Sequence, residues 1–111
     1  MAVPQLTHEQ RVAASAKAVA IRIKRAEIKR QLKDSSLSLR DLLVVSAVDD
    51  VVAGMKVVSV LESLPGIGQI KAAAIMERCG IALSRRLRGL GPHQIESLTT
   101  LIESRGNYWR I

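Results

Sequence analysis

The sequence has almost no aromatic residues: it contains no Phe, one Tyr and one Trp. Proteins that bind single-stranded nucleic acid without sequence preference stack its bases on aromatic side chains, so this class of site has little to be built from. The core must therefore consist of Leu, Ile, Val and Ala. With 48% of its 111 residues hydrophobic, the chain has enough apolar side chains to fold around one modest core.

Cysteine is also scarce, since Cys79 is the only one. A single cysteine excludes an internal disulfide and a metal site of several thiolates, and it fits a reducing compartment. Its apolar context favours a packing role over a nucleophilic one. His8 and His93 are expected to face solvent near helix starts, and a helix start also explains the carboxylate pair Asp49-Asp50. We therefore expect no enzymatic activity, no metal, no cofactor and no small-molecule substrate.

Long apolar runs are absent, so no segment approaches the length of a membrane span, and the N-terminus lacks the apolar centre of a secretory signal. The basic N-terminal segment is similar in composition to an organellar transit peptide, but Glu9, Glu27 and scarce Ser argue against that alternative. A helix lying on a membrane surface is a weak alternative, because its apolar side lacks Trp and Phe. We expect a cytoplasmic protein without membrane contact.

Acidic residues are outnumbered by basic ones, which gives a formal net charge of +7. Residues 1–33 contain eight Lys or Arg against two Glu, whereas the remaining 78 residues contain nine against eight. Such a balance predicts a polyanionic partner, either nucleic acid or an anionic membrane. The distribution predicts a basic N-terminal helix or arm over 1–33, a nearly neutral globular domain over 34–104 and a tail over 105–111.

The basic segment is predicted to be one long helix. Thr7 and Gln10 have the spacing of a capping box, and nothing breaks a helix from His8 to about Lys33. At 100° per residue, one basic stripe contains Arg11, Arg22, Arg25, Lys29 and Lys33, and an apolar line beside it contains Ile21, Ile28 and Leu32. Because only the second half of the helix has bulky apolar residues, we expect the first half to project as a solvated arm.

The rest of the chain is predicted to be helical as well, which makes the fold class all-α. Ser38 and Asp49 are expected to cap two short helices, although the Val-rich stretch 42–48 would also suit a strand. Periodicity, Pro and Gly then predict helices that end before Pro65, span Gln69 to Arg78, and begin after Gly91. We also expect Ser84 to cap a turn that runs through Leu87, and the last helix to end at Gly106. The Gln69–Arg78 helix is expected to pack through Ile70, Ala73, Ala74 and Met76.

A glycine hairpin, Leu64-Pro65-Gly66-Ile67-Gly68, leads directly into the helix that begins at Gln69. Gly66 and Gly68 permit positive φ and close approach of another backbone. Ile67 is expected to point into the core, leaving the amides around Gly68 and Gln69 facing outward at the positive end of the helix, where they suit phosphate groups. An ordinary tight connection between helices is the structural alternative.

An arginine turn follows, in which Arg85, Arg86 and Arg88 fall within four residues. The planar guanidinium fits phosphate groups and guanine edges. A solvated loop, or arginines that neutralise helix C-termini, would be the alternative. Because no acidic residue lies between Arg78 and Glu96, neutralisation within the chain is disfavoured and we expect the turn to face an anion.

These motifs carry a resemblance to known proteins. The span Leu61–Leu101 resembles a helix–two-turns–helix module (about 57–104) that is shared by certain DNA-repair glycosylases, a small-subunit ribosomal protein and some nucleoid proteins. More narrowly, the whole chain except its tail resembles the actinobacterial integration host factor family. The matching motifs are Pro4-Gln5-Leu6, Glu9-Gln10-Arg11, Met55-Lys56-Val57, the Leu61–Gly68 stretch and Arg85–Gly91, and the last of these is the most specific.

The resemblance implies a small nucleoid-associated protein, monomeric in solution, that binds double-stranded DNA with little sequence preference and bends or compacts it without a cofactor. Carried over by motif, the DNA-binding residues would be Pro65, Gly66, Gly68, Ser84, Arg85, Arg86 and Arg88. The family often has Lys where this chain has Gly66 and Gln69, so we expect the hairpin to bind through backbone amides and the arginines to supply the attraction. Bending would need a wedge, for which only Ile67 and Leu87 are candidates.

Three questions stay open at the level of sequence. Arg22, Arg25 and Lys29 form either a second DNA surface or a solvated helix face, as most charge runs do. The same fold could bind structured RNA or a ribosome instead of DNA. A different class of function, a protein-interaction module, would use the tail with Tyr108 and Trp109.

Overall fold

The computed structural model describes residues 7–104, and this part of the chain is all-helical, as expected. The helices are α1 His8–Lys33, α2 Leu39–Ser46, α3 Asp50–Ala53, α4 Val57–Ser63, α5 Gln69–Arg78 and α6 Pro92–Glu103, with a 3-10 turn at Leu87–Gly89. The Val-rich stretch that suited a strand is thus helical to Ser46. The aromatic tail lies outside the described residues.

α1 begins at the predicted capping box. The Thr7 hydroxyl accepts a hydrogen bond from the Gln10 amide at 3.1 Å, and the Gln10 side chain accepts one from the Thr7 amide at 2.8 Å. The predicted apolar line is the docked face, with Ile28 and Leu32 buried and Ile21 half-buried. Residues 7–20 are all exposed, so the first half of the 26-residue helix projects from the body. The described part of the molecule is accordingly elongated, 55 Å in its longest dimension.

A polar contact reinforces the docking of α1. Lys24 forms an ion pair with Asp49, whose carboxylate also accepts from the amides of Val51 and Val52 as the N-cap of α3. The bond from Lys24 holds the pKa of the Asp49 carboxyl below its usual value, and the amides of α3 add to this effect. Arg25 Nε donates to the Val51 carbonyl at 3.2 Å. The start of α3 is therefore tied to the middle of α1.

The core is aliphatic, as the composition requires. Its most deeply buried side chains are Leu32, Leu42, Val52, Val57, Val60, Leu61, Ile75, Met76 and Leu98, each less than 2% exposed. Cys79 packs against this core half-buried, and burial raises the pKa of its thiol. The thiol thus stays protonated at neutral pH, in agreement with a packing role.

The buried face of α5 differs from the prediction. The helix buries Ala72, Ile75 and Met76, whereas Ile70 is 87% exposed and both Ala73 and Ala74 are exposed. At 100° per residue the predicted set is spread over two sides of the helix, and the core selects the side that contains Met76. An apolar side chain is consequently left in solvent in the first turn of α5.

Two predicted signals near the C-terminal end are wrong. Ser84 caps no turn, because the chain bends at Leu83-Ser84 and the 3-10 turn starts only at Leu87, where Arg86 is held by a bridge to Lys56. α6 ends at Glu103 with Ser104 at its C-cap, before Gly106, which lies outside the described residues.

Docking of α1 gives a first testable prediction. Leu32→Ala should lower the free energy of unfolding by about 2–5 kcal/mol, because this side chain is 1% exposed and its removal leaves a cavity. Ile23→Ala on the same helix should change it by less than about 0.5 kcal/mol, because Ile23 is 65% exposed. Urea unfolding followed by circular dichroism measures both, and equal losses would contradict the assignment of the docked face.

Candidate nucleic-acid interface

The hairpin between α4 and α5 is a tight β-turn. The Ile67 amide donates to the Leu64 carbonyl at 3.2 Å, which closes a four-residue turn with Pro65 and Gly66 at its centre. Gly66 has φ of +75°, the value that a type II turn demands of its third residue. Leu64 and Ile67 are both buried, as expected for Ile67. The turn is thus anchored at each end by an apolar side chain.

Backbone donors are left over on the outer side of the hairpin. Among the described residues, the amides of Gly66, Gly68, Gln69 and Ile70 donate to no protein acceptor, whereas the Ala72 amide donates to the Gly68 carbonyl at 2.9 Å. Such amides at a helix N-terminus carry partial positive charge and favour anions. The expected outward-facing donors are therefore present.

Of the two properties predicted for Gly68, positive φ and open space for close approach, the first is wrong. Its φ is −93° and its ψ −172°, extended values that any residue adopts. A Cβ built on Gly68 would meet nothing within 4 Å. The absence of a side chain at Gly68 consequently serves approach from outside rather than the turn itself.

The hairpin has a nearby charge and an exposed apolar side chain that the sequence motif did not point to. Lys71 Nζ donates to the Gly66 carbonyl at 3.4 Å, so the hairpin is not served by backbone alone. Helical spacing could have found Lys71, because it lies within the first turn of α5. Ile70, in the same turn, is exposed, whereas the two predicted wedges Ile67 and Leu87 are each only 4% exposed. Neither predicted wedge is placed to enter a DNA groove.

The arginine turn is fixed to the start of α4 by backbone pairing. The Val57 amide donates to the Arg85 carbonyl and the Leu87 amide to the Met55 carbonyl, both at 3.0 Å, around an isolated antiparallel bridge between Lys56 and Arg86. Leu87 is buried and pins the turn from below. The three arginines, together with Ser84, are exposed on its outer side.

Guanidinium groups from two elements converge on Gly54. An ideal Cβ at this glycine would lie 2.7 Å from Arg25 Nη2 and 2.9 Å from Arg88 Nη2, and Arg86 Nη1 donates to the Gly54 carbonyl. Any side chain here would push the arginines apart. Gly54 directly follows α3, and nothing local in the sequence reveals that it lies between arginines.

A cleft of about 200 Å³ opens beside this cluster. Its lining includes four cationic side chains and one hydroxyl, but no carboxylate: Arg25, Lys29, Lys56, Arg86 and Ser59. Arg25 and Lys29, which were expected to form a separate second surface on α1, are therefore continuous with the arginine turn. Arg22, one helical turn before Arg25, is exposed and extends the same face outward.

No acidic group neutralises the arginine turn within residues 7–104. Arg85 Nη1 donates to the Gly89 carbonyl at 2.9 Å and Arg86 bonds to Gly54, but neither they nor Arg88 contact a carboxylate. Arg85 thus braces its own turn, whereas the Arg88 side chain makes no hydrogen bond or ion pair with the described residues. The positive charge of this face is uncompensated.

The hairpin and the arginine turn lie at opposite ends of α4. The helix begins at Val57, which is bonded to Arg85, and ends at Ser63, just before the hairpin. The ends of a seven-residue helix are about 10 Å apart. The structure therefore places the unpaired amides of the hairpin and the arginine turn at the two ends of one short helix.

The part of the chain that the structure describes offers little for other chemistry. It contains no group of three or more His, Cys, Asp or Glu residues arranged to hold a metal ion. None of the helices in residues 7–104 combines the length and the apolar character needed to cross a membrane. His8 and His93 are exposed, and Asp49 is occupied as a helix cap, as predicted.

Comparison with known proteins identifies relatives over most of the chain. Residues 32–101 match a domain family described as an S13-like H2TH domain. The chain is 51% identical over 107 residues to the integration host factor of Streptomyces coelicolor. The aligned residues make up 96% of this chain and 100% of that protein. It is 49% identical over 98 residues to the integration host factors of Mycolicibacterium smegmatis and Mycobacterium tuberculosis, covering 88% of this chain and 93% of each relative.

The fold also has a counterpart among solved structures. A structure of sIHF bound to an 8-base-pair palindromic DNA superimposes with a TM-score of 0.75 at 50% sequence identity, covering 77% of this chain and 96% of that one.

The two hairpin glycines should respond differently to substitution. Gly66→Ala should lower the free energy of unfolding by about 1–2 kcal/mol, because Ala is strained at positive φ. Gly68→Ala should be neutral or slightly stabilising, because its backbone suits any residue and the unfolded chain loses freedom. Thermal unfolding distinguishes them, and a Gly68→Ala loss as large as that of Gly66→Ala would contradict the assigned conformations.

Proposed function

Because the chain belongs to the integration host factor family of actinobacteria, we propose that it is a non-enzymatic, nucleoid-associated protein that binds double-stranded DNA through its phosphate backbone and bends or compacts it. The observation that carries this proposal is the convergence of Arg25, Arg86 and Arg88 on Gly54 without a carboxylate among the described residues. Guanidinium groups held in this way bind phosphate oxygens and release counterions from the duplex.

The hairpin takes a second phosphate contact. The free amides of Gly66, Gly68 and Gln69 point at the ligand from the N-terminus of α5, and Lys71 adds a charge beside them. The open space above Gly68 lets a phosphate approach the backbone closely. Pro65 and the turn closed by Ile67 hold these donors in place. Backbone amides read no base edge, which accounts for low sequence preference.

The spacing of the two groups suits a duplex. The ends of α4 are about 10 Å apart, which equals the rise of roughly three base pairs along the axis of a duplex. Contacts to the duplex from both the hairpin and the arginine turn would fix the path of the DNA across the protein, because α4 holds the two contacts at a constant distance. The exposed Ile70 and Leu83, 87% and 58% exposed, are the apolar side chains nearest in sequence to these contacts and replace the buried candidates for a groove wedge.

The basic stripe of α1 enlarges this surface rather than forming an independent one. Arg25 and Lys29 line the cationic cleft, and Arg22 and Ser84 lie at its outer margins on α1 and the arginine turn. We assign the basic side chains of the 1–33 segment to DNA contact and the 34–104 segment to the globular body that positions the hairpin and arginines. We further propose that the protein acts in the nucleoid of the bacterial cytoplasm, as a monomer in dilute solution, without membrane, cofactor or substrate.

Structured RNA is the second candidate, because the matching domain family is described as S13-like. Phosphate contacts alone do not distinguish the two ligands, whereas the 2′-hydroxyl and the A-form groove do. A competition titration of duplex DNA against duplex RNA at one salt concentration decides between them. Preference for RNA by tenfold or more would replace the DNA proposal.

Salt dependence tests the arginine turn. With about three to six phosphates neutralised, the slope of log affinity against log salt should be about −3 to −5 for the intact protein. Arg88→Gln should weaken binding about five- to tenfold and flatten the slope by about 1, because this arginine has no protein partner among the described residues and one phosphate contact is lost.

Arg30→Gln is the matched control, since it removes the same charge from a residue that pairs with Glu27 and Asp34 away from the cleft. Fluorescence anisotropy with a labelled duplex gives both quantities. Equal effects of the two variants would show that only total charge matters, and a slope near zero would refute the proposal.

Gly68 tests the hairpin separately. Gly68→Val should fold with unchanged stability, because its Cβ meets nothing within 4 Å, yet bind DNA at least about fivefold more weakly, because the side chain blocks a phosphate. Ala74→Val, at an exposed position of α5, places the same side chain away from the turn and should bind normally. Normal DNA affinity of a folded Gly68→Val variant would reduce the hairpin to a connection.

A further inference from the structure

The projecting half of α1 has an apolar face that the body does not use. Val12, Val19 and Ile23 are 56%, 42% and 65% exposed, although they are large apolar residues. With Ala16 and Ala26 they recur at alternating spacings of four and three residues over 12–26. This is the spacing of the seam of a coiled coil, in which Val12, Val19 and Ala26 occupy d positions and Ala16 and Ile23 occupy a positions.

The body contacts α1 on the opposite side of the helix. In the same heptad register, the docked residues Ile21 and Ile28 are at f and Leu32 is at c, while Lys24, paired with Asp49, is at b. The face made of a and d positions therefore remains accessible where the second half of the helix is docked, as well as along the projecting half. α1 thus has two apolar faces, one packed on its own globular body and one exposed to solvent, and a second helix could pack against the exposed face.

The flanking charges specify which helix fits and in which direction. Arg22 and Lys29 occupy g positions, and Glu27, which also pairs with Arg30 of its own helix, occupies the e position five residues after Arg22. In a parallel pair of helices each g residue lies beside the following e residue of the other helix, so Arg22 of each copy meets the Glu27 carboxylate of the other. In an antiparallel pair g meets g, and the cations would repel each other.

We propose that the face formed by Val12, Ala16, Val19, Ile23 and Ala26 binds the same face of a second copy of this chain, as a short parallel coiled coil. The contact is two-fold symmetric and uses one surface patch on each copy. Because it comprises about two heptads and two of its residues are Ala, it is weak by itself. It therefore forms where local concentration is high, as between neighbouring copies on one DNA, and it goes beyond DNA binding by a single copy.

Repulsion between the two arms modulates this association. Residues 1–33 of each copy carry eight basic and two acidic residues, and salt screens the repulsion between exposed charges. Pairing through an apolar seam should thus persist or increase with salt in the absence of DNA, whereas association by shared DNA should vanish. This opposite salt dependence separates the proposal from a failure of DNA binding.

Site-specific disulfide formation tests the pairing. In a Cys79→Ser background, Val12→Cys and Ala26→Cys place one thiol at each end of the seam, and Ala14→Cys places one at an f position on the other side of the exposed helix. At high protein concentration under mild oxidation, parallel pairing predicts that Val12→Cys and Ala26→Cys each cross-link with themselves at least fivefold more than Ala14→Cys. Equal yields for all three would overturn the proposal.

Mixing the two seam variants tests direction. Parallel pairing predicts self-linked species of each variant, distinguished by mass spectrometry, whereas antiparallel pairing would link Val12→Cys to Ala26→Cys. Predominance of that mixed species would overturn the parallel geometry.

A neutral double variant identifies the occupant of the face. Val19→Ser/Ile23→Ser should fold, because both side chains are exposed, and should reduce cross-linking of Val12→Cys at least tenfold. Its affinity for a duplex that accommodates one copy should equal that of Ala14→Ser. A selective loss of that affinity would mean that the face contacts DNA and would overturn the proposal, as would undiminished cross-linking.

Discussion

Two backbone hydrogen bonds across the bridge between Lys56 and Arg86 set the geometry on which the proposed function depends. They join Met55 to Leu87 and Val57 to Arg85, segments about thirty residues apart in sequence. The bridge places the arginine turn over the start of α4, and α4 in turn ends at the hairpin. The hairpin and the arginine turn are therefore both held by one short helix, α4, and the distance between them is set by the length of that helix.

The same constraint explains which parts of the fold could be predicted from the sequence. Thr7, Pro65 and Gly80 act on neighbours within six residues, and the helix boundaries that they set agree with the prediction. Gly80, for example, has φ of +67° and directs Ile81 N–H to Met76 O at the end of α5. Ser84 failed as a cap because the bridge, a long-range contact, decides where the next turn begins.

In the candidate site, too, the features that depend on local sequence could be predicted, and those that depend on long-range contacts could not. The arginines and the glycine hairpin were recognisable as motifs, because residue type and spacing alone identify them. The convergence of Arg25 with Arg88 at Gly54 could not be recognised in this way, because it depends on how α1 lies across α3. That arrangement is set by the ion pair of Lys24 with Asp49 and by the hydrogen bond from Arg25 to the Val51 carbonyl. Periodicity found the docked face of α1 but could not assign its basic stripe to the arginine turn.

α1 connects these features because its sides face different surroundings. Its f and c positions dock on the body, and Arg25, also at c, turns toward Gly54, away from the a and d residues. A second copy bound at the a and d face would therefore leave Arg25, Arg86 and Arg88 open to a phosphate. Arg22 and Lys29, at g, border both surfaces, so they are the residues through which DNA binding and pairing would influence each other. Two copies joined in this way would present two related DNA faces on one rigid stem, and such a pair would hold two segments of duplex together in addition to the effect of each copy alone.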